Sequence, residues 1–192
     1  MKLHLMSIWL LCAWLVLGGT AASASTITLE TGSPTPGTGV MVDVNVVLNG
    51  AGTAVGAYDF DFTYTESVLS FVGVTFQGAL GDPTAMPIEV FQGSSGGGGL
   101  ADASEASLLG EAALLALQGD PLLLVQLHFL TLAPGAASVA LVNDAGFFLV
   151  DAAAQSIGVE APFPTLMIQI PEPRTLALLA AAALGLRVRR RR

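Results

Sequence analysis

The sequence has almost no positive charge over most of its length. Its seven Lys and Arg residues are Lys2 and a group of arginines that begins at Arg174, so neither residue type occurs between positions 25 and 173. All fifteen Asp and Glu residues lie between positions 30 and 172. We call residues 25–170 the body of the protein. A surface with this charge repels phosphate backbones and anionic lipids, so the charge pattern excludes nucleic-acid binding by the body.

Cysteine and histidine are almost absent as well. The only cysteine is Cys12, and His128 is the only histidine beyond the first few residues. The body therefore offers no disulfide, no Cys nucleophile and no His/Cys metal cluster. With about 150 residues, it is long enough to be stabilised by a hydrophobic core alone.

The N-terminus has the pattern of a secretory signal peptide. Lys2 precedes an apolar stretch over residues 5–17, and the small residues Ala22 and Ala24 follow with one residue between them. This order is typical of a cleaved signal, so we predict a signal peptide over residues 1–24 and an exported protein.

Residues 26–92 are rich in β-branched and aromatic residues and are interrupted by Gly and Pro. The pattern predicts antiparallel strands within TITLETGS, VMVDVNVVL, AYDFDFTYT and VLSFVGVTF. In the third of these, one face is aromatic and the other polar. The aromatic face has Tyr58, Phe60, Phe62 and Tyr64, and the polar face has Asp59, Asp61 and Thr63.

The second half of the body predicts a glycine loop, a helix and further strands. We expect Gly93–Gly99 to be a flexible loop and residues 100–120 to contain a short helix, because Asp102 and Glu105 have the spacing of a capping box. Strands follow in PLLLVQLHFLTL, SVALVND, FFLVDAAAQSIGVE and TLMIQI. About nine strands with one inserted helix predict an all-β jelly-roll or Ig-like sandwich.

Two carboxylates on one strand are the candidate binding residues. Asp59 and Asp61 are two positions apart, so their backbones are separated by about 7 Å on one strand face. Such a pair can contact a partner, bind calcium or, with Glu66, serve a glycosidase, and it can also be a solvated sheet face. No EF-type calcium loop is present, so we assign no metal and no cofactor.

A second catalytic alternative rests on one short motif. Residues 93–97, GSSGG, match G-x-S-x-G, and His128 follows downstream. The motif needs a strained turn between a strand and a helix, which a run of glycines does not provide. We therefore assign no catalytic residue and expect a protein that is not an enzyme.

Three stretches resemble cohesin domains: residues 26–50, AYDFDFTYTESVLSFVGVTFQGALGD at residues 57–82, and LLALQGDPLLLVQLHFLTLAPGAASVAL at residues 114–141. Cohesins are nine-stranded jelly-roll sandwiches that bind dockerin modules, and some relatives bind carbohydrate. The resemblance implies a cohesin-like fold, with Asp59 at a position that contacts dockerin in that family.

The C-terminus resembles the PEP-CTERM sorting signal. Pro171-Glu172-Pro173 is followed by an apolar run over residues 176–186 and then by Arg187 and residues 189–192, of which all four are Arg. The resemblance implies recognition by an exosortase in a Gram-negative bacterium that produces exopolysaccharide. The apolar run predicts a hydrophobic helix that contacts the membrane at least transiently, with its arginines on the cytoplasmic side.

These patterns together predict three segments and one function. Residues 1–24 are a signal peptide, residues 25–170 a cohesin-like β-sandwich and residues 171–192 a sorting or anchor segment. We expect a protein of the cell surface or extracellular matrix that adheres to a protein module or an extracellular polysaccharide. A glycosidase-like enzyme and a purely structural exopolysaccharide-associated protein are the alternatives.

Overall fold

Two antiparallel β-sheets form the part of the chain that the structure, a computed structural model, describes: residues 24–172. The strands are β1 (Thr26–Glu30), β2 (Met41–Asn49), β3 (Val55–Tyr64), β4 (Leu69–Phe76), β5 (Val90–Gly97), β6 (Leu100–Ser107), β7 (Leu122–Thr131), β8 (Gly135–Leu141), β9 (Phe148–Asp151) and β10 (Thr165–Ile170). One helix, α1 (Glu111–Leu117), lies between β6 and β7. The predicted sandwich is confirmed, with ten strands instead of about nine.

The smaller sheet has the strand order β1-β2-β7-β4, and the larger sheet has the order β10-β8-β3-β6-β5. Strand β9 also pairs with β3 in the larger sheet. Every pair of neighbouring strands is antiparallel. Strand β3 lies at the centre of the larger sheet, where it pairs with β6, β8 and β9.

The core lies between the sheets and follows the period of two that the sequence predicts. In β3, the four aromatic side chains point inward and are buried, and Asp59 and Thr63 point outward. The rings of Tyr58 and Phe60 stack with their centroids 5.0 Å apart, and Tyr64 packs against Phe129 of β7 at 5.2 Å. Each buried ring contributes a large apolar area, so β3 supplies much of the core.

The prediction of a flexible loop over Gly93–Gly99 is wrong. Residues 93–97 belong to β5, an edge strand paired along its length with β6, and only Gly98 and Gly99 form the connecting turn. Both turn residues have positive φ, +62° and +80°, which glycine adopts without steric cost. Gly96 has another role, since a Cβ there would overlap the ring of Phe71 on β4.

The predicted helix is only partly correct. Residues 100–107 form β6, and the helix covers residues 111–117 alone. The inward side chains of β6 are Ala101, Ala103 and Glu105, so its alternation is hard to recognise in the sequence. Asp102 and Glu105, taken for a capping box, lie on opposite faces of this strand.

The two ends of the sandwich are distinct. At one end, β10 ends at Ile170 beside Gly135, and we call this the exit end because the chain continues there toward Pro171. The other end, called the helix end, has α1 and the loop of residues 77–89. No helix within residues 24–172 is long and apolar enough to cross a membrane. The predicted signal peptide and C-terminal hydrophobic helix lie outside the described residues.

Candidate functional site

The outward side chains of β3, β5, β6 and β9 form one continuous surface, which we call the outer face. Strand register places Asp61 opposite Asp102 and Asp59 opposite Ser104. On the far side of β6, Asp102 pairs with Ser95 and Ser104 pairs with Gly93. Asp59 and Asp61, the two sequence-predicted residues, are therefore joined by a third carboxylate that the sequence analysis assigned to a helix.

The half of the outer face toward the exit end is acidic. Burial, the charge of Asp59, a hydrogen-bonding contact with Asp59 and the charge of Asp61 together raise the pKa of Asp102 to about 6. Burial and the charges of Asp144 and Asp59 also raise the pKa of Asp61. Asp144 reaches this group from the turn between β8 and β9. The carboxylates are therefore close enough to oppose one another's ionisation, and a cationic partner group would relieve that repulsion.

The half of the outer face toward the helix end is apolar. Phe91 of β5 and Phe148 of β9 are 60% and 47% exposed, and both line a shallow depression of about 360 Å³. Its remaining outward residues include Ala57, Asp59 and Ala106, so small side chains separate the two rings. Exposed aromatic rings beside a depression are typical of protein contact surfaces.

A buried carboxylate lies beneath this depression. Glu105 is 2% exposed, and it accepts hydrogen bonds from the Tyr58 hydroxyl at 3.0 Å and from the Gln92 amide at 2.7 Å. Burial raises the pKa of Glu105, although the two hydrogen bonds oppose that change. Because every member of the network has a partner, it orients β6 against β3 and β5. Sequence analysis missed Glu105 because an inward carboxylate contradicts the apolar pattern of a strand.

The predicted catalytic alternatives are not assembled at this surface. Ser95 lies on β5 of the larger sheet and His128 on β7 of the smaller one, so they do not form a nucleophile and base. Glu66 follows the end of β3, and the strand between Asp59 and Tyr64 alone spans about 17 Å. Among residues 24–172, no group of three or more His, Cys, Asp or Glu side chains has the arrangement to hold a metal ion.

His128 instead joins three strands on the outer side of the smaller sheet. Its Nδ1 lies 2.7 Å from Asp43 Oδ1 on β2, and its Nε2 lies 2.7 Å from Thr75 Oγ1 on β4. Since a carboxylate only accepts hydrogen bonds, Nδ1 bears the proton that is donated to Asp43. In the neutral ring, Nε2 then accepts the hydroxyl proton of Thr75.

The sorting residues leave the domain at an accessible position. Pro171 and Glu172 are exposed directly after β10, and Pro173 lies outside the described residues. Ala24 is also exposed, and Ala22 lies outside the described residues. The Pro-Glu-Pro sequence thus begins directly after β10.

Solved cohesin structures share this fold. A chain of a type II cohesin–X-dockerin complex from Acetivibrio cellulolyticus matches with a TM-score of 0.61 and 14% identity, covering 76% of this chain and 99% of that one. The second type II cohesin module of an adaptor scaffoldin from the same organism matches with a TM-score of 0.61 and 16% identity, covering 76% and 96%. A non-cellulosomal cohesin from Archaeoglobus fulgidus matches with a TM-score of 0.54 and 17% identity, covering 78% and 93%.

The C-terminal segment matches a protein family by sequence. Residues 169–192 fit the model of the PEP-CTERM protein-sorting motif, which implies export to the surface or exterior of a Gram-negative bacterium and processing by an exosortase. No curated protein matches the sequence. The chain thus combines a cohesin fold with a PEP-CTERM sorting motif, and both sequence resemblances are confirmed.

Proposed function

We propose that this protein is a surface-displayed binding module that docks a protein partner on its outer face. The observation that carries the proposal is the division of that face into an acidic half and an apolar half. A partner with Lys or Arg side chains opposite Asp59, Asp61 and Asp102, and an apolar side chain between Phe91 and Phe148, complements both halves. Charge complementarity of this kind gives specificity and fast association.

The fold supports the choice of a protein partner. One of the matching structures is a cohesin in complex with a dockerin, and another is a type II cohesin–X-dockerin complex. A dockerin-like module is therefore the first class of partner to test. The depressions on the outer face are open and shallow, which suits a macromolecule better than a small substrate held for catalysis.

The sorting motif supports the proposal that the protein acts at the cell surface or in the extracellular matrix. Cleavage after Ala24 and recognition of Pro171-Glu172-Pro173 by an exosortase would deliver residues 25–170 to the cell surface or matrix. The arginine-rich segment would serve this sorting and any transient contact with the membrane. The proposed role at that location is adhesion within the extracellular matrix.

The test compares two variants of equal charge in recovery of partners from surface extract. One variant replaces three acids of the outer face: Asp59→Asn, Asp61→Asn and Asp102→Asn. The control replaces three exposed acids elsewhere: Glu30→Gln, Glu111→Gln and Glu160→Gln. We expect a protein that binds the wild type and the control but is lost with the outer-face variant, because only that variant removes the charges in contact.

Three results would contradict this proposal. Equal recovery by both variants would assign binding to net charge alone. Recovery of polysaccharide in place of protein, with the same loss in the outer-face variant, would favour a carbohydrate-binding module. Recovery of nothing by the wild type would favour a purely structural protein.

A further inference from the structure

Large apolar side chains that do not belong to the outer face are exposed at the helix end. They come from the loop of residues 77–89, from the segment after β6 and from α1. Each is at least half exposed, and the most exposed reaches 98%. They are Met86, Ile88, Leu108 and Leu117, which we call the end patch.

Two observations bring these segments close together at the helix end. The Leu108 amide donates a hydrogen bond to the Glu89 carbonyl at 2.6 Å, which holds Leu108 next to the residue after Ile88. Leu117 lines a depression of about 330 Å³ together with Phe76, Pro83 and Glu89. Leu117 of the end patch therefore lines a recess, and the other three side chains belong to the segments on either side of Glu89 and Pro83 or are held beside Glu89.

The helix is fixed in place without covering this surface. The Gln118 side chain, directly after α1, donates to the carbonyls of Val55 and Ala79 and accepts from the Val55 amide. Only Leu114 of α1 is buried, and Leu115 and Leu117 remain exposed. Exposed apolar side chains grouped beside a recess are typical of a contact site for another molecule.

The recess is bordered by negative charge. Asp82 and Glu89 both line it, and the Asp82 carboxylate accepts two hydrogen bonds from Thr84, each at 2.7 Å. These bonds hold the pKa of Asp82 below its usual range, so the carboxylate stays charged. No Lys or Arg occurs in residues 25–173 to neutralise either group.

We propose that the end patch docks an apolar, basic segment of another protein, with an apolar side chain in the recess and Lys or Arg beside Asp82 and Glu89. Charge decides between the alternatives. Residues 25–172 of a second copy would bring their own carboxylates against these, and an anionic lipid surface would be repelled. The recess adjoins the depression of the outer face, since Gln92 lines both, but the two proposals rest on different side chains and are tested with different variants.

The probe is a short synthetic peptide with leucines on one helical face and lysines on the other, titrated into the exported chain by calorimetry. We expect binding that weakens by at least about tenfold in Met86→Ser/Leu117→Ser, because the apolar contacts are removed. The control is Val40→Ser/Leu132→Ser, which removes two apolar side chains at the exit end that are each about half exposed, as Leu117 is. Binding of the control should equal that of the wild type.

Several results would overturn the proposal. Equal binding by both double variants, or equal binding of a peptide with serine in place of leucine, would reduce the effect to general charge attraction. Sedimentation of the wild type as a dimer that Met86→Ser/Leu117→Ser dissociates would assign the end patch to self-association. Binding to phosphatidylcholine vesicles that the same variant abolishes would assign it to the membrane.

Discussion

At the scale of single residues, close packing explains features that look like flexibility. Gly96 lies on the edge strand β5 where the ring of Phe71 crosses from the other sheet, and Phe71 in turn packs edge-on against Phe129 at 5.8 Å. The absence of a side chain at position 96 therefore lets the two sheets approach at this edge. A glycine can be required by its neighbours as well as by its own backbone angles.

Replacing Gly96 by Ala should destabilise the domain. The added Cβ overlaps the Phe71 ring, and displacing that ring disturbs its contact with Phe129, so we expect a loss of about 1–3 kcal/mol in the free energy of unfolding. Urea unfolding measures the loss. The control is Gly32→Ala, where an added Cβ meets no heavy atom within 4 Å. Equal stability of the two variants would show that Phe71 moves away without cost.

The Asp102 carboxyl group should make stability depend on pH. Its pKa is raised from 3.8 to about 6 in the folded state, so the folded protein holds this proton more tightly than the unfolded chain. The resulting stability is fully present below about pH 4 and is lost as pH rises through 6. Glu105 acts in the same direction, because burial raises its pKa as well.

We therefore expect Asp102→Asn to unfold at higher denaturant than the wild type at pH 7 and to show a weaker fall in stability between pH 4 and 7. Because Asp102 is partly exposed, solvent screening limits the gain to about 1 kcal/mol. Glu30→Gln, on the smaller sheet, should leave the pH profile unchanged. If the free energy of unfolding falls with pH equally in the wild type and in Asp102→Asn, the proposed repulsion on the outer face is contradicted.

At the scale of secondary-structure elements, a strand was predictable from the sequence when the side chains of its two faces differ clearly in polarity. Strands whose two faces are similar in polarity were not predicted. In β3, aromatic and acidic residues alternate, so both its faces and the outward positions of Asp59 and Asp61 were predicted correctly. Strand β5 has the sequence VFQGSSGG, which has too few large side chains to indicate which face is buried. Strand β6 alternates alanine with polar residues and places Glu105 inward, which hides its period.

The candidate site was predictable only in part for the same reason. Asp59 and Asp61 are on the recognised strand, whereas Asp102, Phe91 and Phe148 join them through pairing between strands that are distant in sequence. Register of this kind depends on the whole sheet, which a local pattern does not contain. The start of the helix was predicted too early in the chain, because Asp102 and Glu105 matched a capping box by spacing alone.

At the scale of the whole molecule, unbalanced negative charge should dominate the response to salt. Residues 25–173 have all fifteen acids and no Lys or Arg. Raising NaCl from about 10 mM to 150 mM shortens the Debye length from about 30 Å to 8 Å, which screens this repulsion. We expect the Tm to rise by about 2 to 4 °C over that range in calorimetry.

A variant with neutral amides at the outer face is the control for this effect. It contains Asp59→Asn, Asp61→Asn, Asp102→Asn and Asp144→Asn, and it should show a smaller rise in Tm because its closest like charges are gone. A Tm of the wild type that is constant or falls with NaCl would show that repulsion does not limit its stability.

The position of β10 has a mechanical consequence. The chain leaves through Ile170 at the exit end, and β10 pairs with β8 over six residues. When the C-terminal side is held and a partner pulls toward the helix end, the force runs along β10. The load then shears all of these ladder hydrogen bonds together instead of opening them one after another. The direction in which the last strand runs would thus let the domain withstand traction at a cell surface without unfolding from its tether.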